Sequence, residues 1–493
     1  MTFYRLVFTG GFLPAEPAGK SITGGFPDYC RRFSPPNLLQ KNMKVEVVSN
    51  EIIKPSSPTP DHFRHYQLSF LDHLSPQTYN PLVLFYQLDV DDDDDQDHES
   101  KIKEISDKVK NSLSEVLTLF YPLAGRVKND RFIYCNDEGV SYSVTRVKSP
   151  CHLSQAIKNP LPSELCNFLP FKLNELNEFA LGVQLNVFER GGVALGLCIS
   201  HQIADALSSI MFIKTWVAIA RGEANHLPHP EFVSAKLFPP LDGPKFDPNN
   251  VISSEVISKR FVFEGSTLEA IRSKYEKNTC LEGERRPSRV EALSAFIWSR
   301  FVAATSCDND NELSAGTEKV YAVIHAVNLR PKLDPPLPEH SFGNLYRYSY
   351  AIFPSTILSS SEKDNYGYEA MKQIRAGFEK VDMDYLRKVQ EGEDVKLEQF
   401  TEYAEELLMK GGELVSFAFT SLCRFPLYDA DFGWGKPTWV SSASLDYENL
   451  VAFMDTKTGN GIETYVSLKT EKMAKHEDDK EFIIATSALP LET

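Results

Sequence analysis

The sequence predicts an α/β (α+β) protein in two parts, and three features carry that reading. Apolar residues recur at steps of three and four between Lys101 and Phe120, the period of an amphipathic helix. From Val193 to Ile199 large and small residues alternate, the pattern of a strand, and a second helical pattern follows directly. Six prolines between Leu227 and Ser258 interrupt every period near the middle of the chain, which is where one domain gives way to the next.

Composition narrows the class. A chain of 493 residues is long enough for two domains, and 42% hydrophobic with 24% charged residues is the mix of a chain that mostly folds. Asp and Glu number 68 against 52 Lys and Arg, a net charge of −16. Nucleic acid or an anionic membrane would need a basic footprint, so neither is an expected partner. No apolar run approaches the roughly 18 residues of a membrane span, and the start of the chain lacks a signal-peptide pattern. A cytoplasmic protein is therefore expected. The eight cysteines, Cys30, Cys135, Cys151, Cys166, Cys198, Cys280, Cys307 and Cys423, form no CxxC pair and no metal-ligand spacing. They read as reduced thiols, and no metal site is expected.

Taken in order, residues 1–42 combine Gly, Pro and aromatic residues without a period, so an unstructured leader is expected there and Met43 marks the functional start. Asp91 to Asp95 repel one another and read as an exposed loop ahead of the first helix. On that helix Ile102, Ile105, Val109, Leu113, Val116, Leu117 and Phe120 share one face. In the strand, Val193, Leu195, Leu197 and Ile199 are bulky while Ala194, Gly196, Cys198 and Ser200 are small, so His201 emerges on the bulky side, towards a core or an interdomain surface. The next helix runs from Asp205 through Leu207, Ile210, Met211, Ile213 and Trp216, and Arg221-Gly222 ends it. A domain over 43–226, a crossover over 227–258 and a second domain over 259–493 follow. In the second half, Val320 to Val327 and Leu414 to Leu422 read as strands. Asn460-Gly461 joins Leu450–Met454 to Ile462–Leu468 in a hairpin.

His201 is the candidate for chemistry. A strand end fixes an imidazole by the sheet while its tip meets substrate, which suits a general base. The spacing His201-x-x-x-Asp205 occurs often by chance, and on spacing alone a structural histidine capped by a nearby carboxylate stays open.

Context adds to it. Asp431-Phe432-Gly433-Trp434-Gly435 in the second half, with His201-Gln202-Ile203-Ala204-Asp205 in the first, resembles the two signature motifs of the BAHD acyltransferases, acyl-CoA-dependent enzymes of plants. Phe120 to Arg126, Ala326 to Arg330 and the Lys54-Pro55-Ser56-Ser57-Pro58 run extend the resemblance over nearly everything from Met43 onwards. Together with Cys423-Arg424-Phe425 they look most like the vinorine synthase-like branch, which acylates alkaloids. The resemblance implies two chloramphenicol acetyltransferase-like domains, each a mixed sheet flanked by helices, with a solvent channel between them. It implies that His201 is the general base and that Asp205 turns away to pair with Arg330. Asp431, Gly433, Trp434 and Gly435 would be structural, although a catalytic part is sometimes credited to Asp431. The basic pair Lys259-Arg260 resembles a coenzyme A phosphate contact, and Ser441 and Ser442 resemble the strand along the pantetheine arm. Arg424, ahead of the Asp431 motif, is a candidate for donor selectivity, since a guanidinium grips a carboxylate-bearing acyl group.

The function expected is transfer of an acyl group, acetyl first, from acyl-CoA to a hydroxyl of a plant specialised metabolite. An alkaloid is the first choice of acceptor. A terpenoid, a sugar or phenolic alcohol, and malonyl-CoA as donor, are the alternatives. The protein would act as a cytoplasmic monomer with no permanently bound cofactor. Three rivals fare less well. No Gly-x-Ser-x-Gly elbow supports a serine acyl-enzyme, and Cys198 lies on the strand face away from His201. A peptide-condensing domain would have a second histidine where Ser200 stands and a glycine where Ala206 stands. A non-catalytic binding protein of this fold would be expected to have lost the base.

Overall fold

A computed structural model describes residues 43–486 apart from 89–94, 129–130, 149–151, 176, 190, 224–227, 242–254, 278–284, 307–318, 355–365, 394–401, 404 and 408. The expected leader at 1–42 and the acidic run as far as Asp94 lie outside the described residues. Asp95 opens the first long helix rather than closing a loop.

The strands in chain order are β1 (Lys44–Ile53), β2 (His65–Gln67), β3 (Tyr79–Gln87), β4 (Arg126–Lys128), β5 (Phe132–Tyr134), β6 (Val140–Lys148), β7 (Leu181–Phe188), β8 (Gly192–Ser200), β9 (Val256–Phe263), β10 (Lys319–Asn328), β11 (Tyr346–Pro354), β12 (Glu413–Ser421), β13 (Trp439–Ser441), β14 (Leu450–Asp455) and β15 (Ile462–Lys469). They form two six-stranded mixed sheets, ordered β1-β6-β7-β8-β3-β13 and β11-β10-β12-β14-β15-β9, and a small sheet β2-β5-β4. In the first, β6 and β7 run parallel. In the second, β12 runs parallel to β10 and to β14.

Helix α1 is the single turn Phe70–His73, α2 is Asp95–Leu119, and α3 is Ala206–Ala220. The apolar stripe predicted for α2 is buried from Ile105 to Phe120 in one core with Leu195, Leu197 and Ile199 of β8 and with Phe212 and Trp216 of α3. Trp216 satisfies its indole by donating Nε1–H to Ser112 Oγ at 2.9 Å. On the opposite face of β8, Ala194 and Cys198 pack in a separate core with Phe168 and Trp439. The small residues there have a steric cause, because a Cβ on Gly196 would collide with the Phe168 carbonyl.

The predicted strands and the hairpin at Asn460-Gly461 form within a residue or two of the expected ends. The crossover is less open than its prolines suggest. It contains a short helix, Ser234–Leu237, and a buried Phe238 whose carbonyl accepts the Phe70 N–H at 3.0 Å. Its last residues already belong to β9. The expected division of the chain at 227–258 also has an exception: β13, from the second half, adds to the edge of the first sheet beside β3. Among the described residues no helix is long and apolar enough to cross a membrane, and no group of three or more His, Cys, Asp or Glu side chains could hold a metal ion.

Two buried histidines make stability depend on pH. Burial lowers His325 to about 3 and His476 to about 4. His325 shares a hydrogen bond with Ser294 Oγ at 2.9 Å and stacks on Phe419, while both ring nitrogens of His476, beside Phe482, lack a partner among the described residues. Below about pH 6.5 the unfolded chain takes up protons that the folded chain refuses, so stability falls on acidification by up to about 1.4 kcal/mol per pH unit for each ring. Asp72, raised to about 6 by burial, acts in the opposite sense below that pH and offsets one of them. Replacing His476 with Leu is expected to flatten the stability slope between pH 6.5 and 4 by about one proton, read by urea unfolding at stepped pH. An unchanged slope would mean that His476 is already charged in the native state.

Candidate active site

The His201-x-x-x-Asp205 spacing is the span of one strand-to-helix turn. β8 ends at Ser200, whose carbonyl accepts the N–H groups of Ile203 and Ala204. Asp205 then caps α3, its Oδ1 accepting the Ser208 N–H at 2.8 Å. The same carboxylate takes a two-pronged bond from Arg330, Nη1 to Oδ2 at 2.8 Å and Nη2 to Oδ1 at 3.1 Å, and the Leu345 N–H at 3.1 Å. Both side chains are buried. Burial pushes the Asp205 carboxyl up, but Arg330 and Ser208 outweigh it, so it lies below its ordinary range. Asp205 therefore faces away from His201 and joins the two halves.

His201 is held from behind. Its backbone N–H donates to the Thr78 carbonyl at 2.8 Å, and its Nδ1 meets Asn344 Oδ1 at 3.2 Å. The Asn344 amide group donates to the His201 carbonyl at 2.8 Å and to Asp72 Oδ1 at 2.9 Å. A carbonyl only accepts, so the amide nitrogen belongs on that side and its oxygen on the side of Nδ1. An amide oxygen only accepts as well, which puts the ring hydrogen on Nδ1 and leaves a lone pair on Nε2. No other described residue bonds Nε2. Burial, the largest influence, lowers the ring below its ordinary range and keeps it neutral near pH 7, although its own backbone, Asp205 and Asn344 pull the other way.

The ring opens into a cavity of about 160 Å³ between the two sheets. Leu82, Leu197, Ile199, Ile210 and Ile213 line it from the first half, and Ile324, Ala326, Phe419, Leu450 and Ala452 from the second. The hydroxyls of Thr78, Tyr346, Tyr348, Thr420, Ser442 and Tyr447 interrupt this apolar wall. Thr78 Oγ1 and the Tyr447 hydroxyl lie 2.7 Å apart and tie the halves together across it. A neutral imidazole with its lone pair in a mostly apolar, hydroxyl-dotted cavity can take a proton from an alcohol held against it.

The other residues singled out from the sequence lie elsewhere. Asp431 Oδ1 accepts the N–H groups of Gly433 at 2.7 Å and Gly435 at 3.0 Å, closing a loop whose glycines have φ of 103° and 112°. Phe432 and Trp434 of that loop stack on each other against Tyr86. None of these five residues lines the cavity. Ser441 is fully buried and bonded to the Tyr465 hydroxyl at 2.8 Å, so of the serine pair only Ser442 reaches the cavity. Lys259 and Arg260 are neighbours on β9 and so point to opposite faces. Lys259 Nζ bonds both carboxylate oxygens of Glu477, at 2.7 and 2.6 Å, while Arg260 donates to Glu463 at 2.6 Å and lies 5.1 Å from the Trp439 ring. Neither cation is left without a counter-charge. Arg424 follows β12 rather than standing on it, exposed in a turn with φ of 69° and its N–H on Asp455 at 2.6 Å. Asn344 and Asp72 were not legible in the sequence, because nothing local to Gly343-Asn344 or to Leu71-Asp72 marks them.

Residues 43–483 match the family described as the Transferase family. The limonoid 1-O-acetyltransferase of Citrus sinensis is 34% identical over 89% of this chain and 97% of its own. The stemmadenine O-acetyltransferase of Catharanthus roseus is 33% identical over 88% and 97%. The crystal structure of vinorine synthase superposes with a TM-score of 0.72 at 33% identity, covering 88% of this chain and 96% of the other.

Proposed function

Because the chain belongs to the Transferase family, the BAHD acyltransferases, we propose that His201 is the general base of its reaction and that acetyl is the group carried. The protein is an acyl-CoA-dependent O-acyltransferase, with acyl-CoA as co-substrate and a small hydroxylated molecule of specialised metabolism as acceptor. The single observation behind the base assignment is that the His201 ring lines the cavity with its Nδ1 held on Asn344, which leaves Nε2 as the nitrogen to take the proton.

The acceptor hydroxyl gives its proton to Nε2 while its oxygen attacks the thioester carbonyl. The tetrahedral oxyanion collapses, the thiolate of coenzyme A leaves, and the proton on Nε2 passes to it. Asn344 keeps the ring in the accepting tautomer. Cys198 takes no part, since burial raises its thiol far above the ordinary range on the opposite face of β8. Asp431 has a structural part here, holding the loop that packs against Tyr86. The apolar lining suits a polycyclic acceptor, an alkaloid or a terpenoid such as a limonoid, over a sugar. The protein works as a monomer in the cytoplasm, a reducing setting in keeping with the free thiols of Cys135, Cys166, Cys198 and Cys423.

Incubation with acetyl-CoA and malonyl-CoA against hydroxylated alkaloids, limonoids and sugar alcohols, read by mass, tests the donor and the acceptor. Acetylated polycyclic products are expected, and acylation of the sugars alone would overturn the acceptor class. Arg424 stands two residues beyond the cavity-lining Leu422, and its guanidinium has no ion pair among the described residues. On the same panel Arg424→Phe is expected to lower the malonyl-to-acetyl ratio by about tenfold. An unchanged ratio ends its role in donor choice.

A further inference from the structure

Behind Asn344 lies a carboxylate that the reaction itself does not touch. Asp72 is completely buried, and among the described residues it has no ion pair. Its Oδ2 accepts the Ser69 N–H at 2.8 Å and the Ser69 hydroxyl at 2.7 Å, and its Oδ1 accepts the Asn344 N–H at 3.2 Å and the Asn344 amide at 2.9 Å. A carboxylate kept in the interior without a cation costs stability that a neutral residue would not. Capping the one-turn helix α1 needs no such charge, since Ser69 itself accepts the Asp72 N–H at 3.1 Å.

We infer that Asp72 is a positioning residue for the transfer reaction, one that acts through Asn344 to hold His201 in the tautomer able to accept a proton. The inference rests on His201 being the base. Among the described residues Asp72 and the His201 carbonyl are the two acceptors that face the Asn344 amide group, and together they hold it with its oxygen towards Nδ1. When the ring takes a proton from the acceptor, Asn344 Oδ1 still receives Nδ1–H, and the negative charge of Asp72 stands behind it. Around the ring the other charged group is Asp205, already balanced by Arg330, and the remaining ring neighbour is Tyr346, its centroid 5.6 Å away. Around Asp72 the titratable neighbour is Tyr66, whose hydroxyl burial keeps protonated. Burial raises Asp72 itself to about 6, so near neutral pH its charge is in place.

Asp72→Leu removes both acceptor oxygens and the charge in a side chain of similar size. The Asn344 amide then keeps only the His201 carbonyl, and the Asn344 backbone N–H loses the carboxylate. The amide is freer to turn, its N–H can meet His201 Nδ1, and the ring hydrogen can move to Nε2, where it blocks proton transfer.

The experiment combines kinetics with nitrogen NMR of the protein labelled at histidine, the His201 signals being found by their loss in His201→Ala. Wild type is expected to carry its hydrogen on Nδ1, and Asp72→Leu to gain a population that carries it on Nε2. For Asp72→Leu, kcat should fall by about tenfold or more while KM for acetyl-CoA stays within about twofold. Ser69→Ala weakens the same helix cap but leaves the charge of Asp72, so it should lower the melting temperature with little change in kcat or tautomer. A wild-type ring carrying its hydrogen on Nε2 would overturn the relay even if Asp72→Leu failed to fold. So would an unchanged tautomer in a folded Asp72→Leu, or a Ser69→Ala variant as slow as Asp72→Leu. Near-normal turnover in His201→Ala would instead remove the base assignment beneath it.

Discussion

Turnover of His201→Ala is expected to fall by about 10² to 10⁴-fold or more, with coenzyme A binding retained. Among the described residues that line the cavity, the substitution removes the only group whose lone pair can take a proton near neutral pH, since the hydroxyls around it are far weaker bases. Nothing else should collapse. His201 is tied to the fold chiefly through its backbone, by its N–H on the Thr78 carbonyl and its carbonyl under the Asn344 amide, and alanine keeps both. Asn344 loses one partner for its oxygen, in a place where the vacated ring volume admits water. A binding titration beside the rate measurement, on a sample with an unchanged melting temperature, separates a lost base from a lost fold. Near-normal turnover would return His201 to the structural histidine that its spacing alone left open.

How far the sequence could be read depended on how local each feature was. His201 and Asp205 are four residues apart and share one turn, so the strand alternation ahead of them and the helix after them placed both at one junction, and the resemblance gave them their parts. The Asp431 loop was found through the family resemblance of its five residues, and its geometry explains why so short a stretch marks it: a carboxylate receiving two N–H groups within four residues goes with glycine at the positive-φ positions 433 and 435. That locality also limits its meaning, since a self-contained loop packed on Tyr86 has no need to reach the cavity. Asn344 lies 143 residues from the histidine it orients and 272 from Asp72, and no periodic pattern encodes such a meeting. The three-residue β13 has no alternation to read, so only the resemblance pointed to a strand at Ser441, and its place beside β3, where Trp439 stacks on Phe85, was not legible. Lys259-Arg260 shows a related limit. Adjacent charges in sequence resemble one basic site, but on a strand they part to opposite faces, and Glu477 and Glu463 claim them one by one.

Arg330→Met is expected to cost about 3–5 kcal/mol and to lower the melting temperature by about 3–5 °C, because it breaks a buried pair from one side only. Arg330 is 1% exposed and donates to both Asp205 oxygens, to the carbonyls of Ser341 and Gly343, to Asn328 Oδ1 and to Ser208 Oγ. Methionine fills much of the volume but supplies none of these donors. Asp205 is left as a buried carboxylate with only the N–H groups of Ser208 and Leu345, and the Gly343 carbonyl loses the guanidinium. Those two contacts flank Asn344, so loosening them also loosens the amide that fixes the His201 ring, and turnover should fall together with stability. Asp205→Asn should do the same from the other side, leaving a buried cation short of its charge. The double variant should lose less stability than the sum of the two single ones, because each single change already strands the same partner. Thermal unfolding of all four proteins gives the coupling. A melting temperature for Arg330→Met equal to that of wild type, or effects that simply add, would mean that the pair does not hold the two halves together around the cavity.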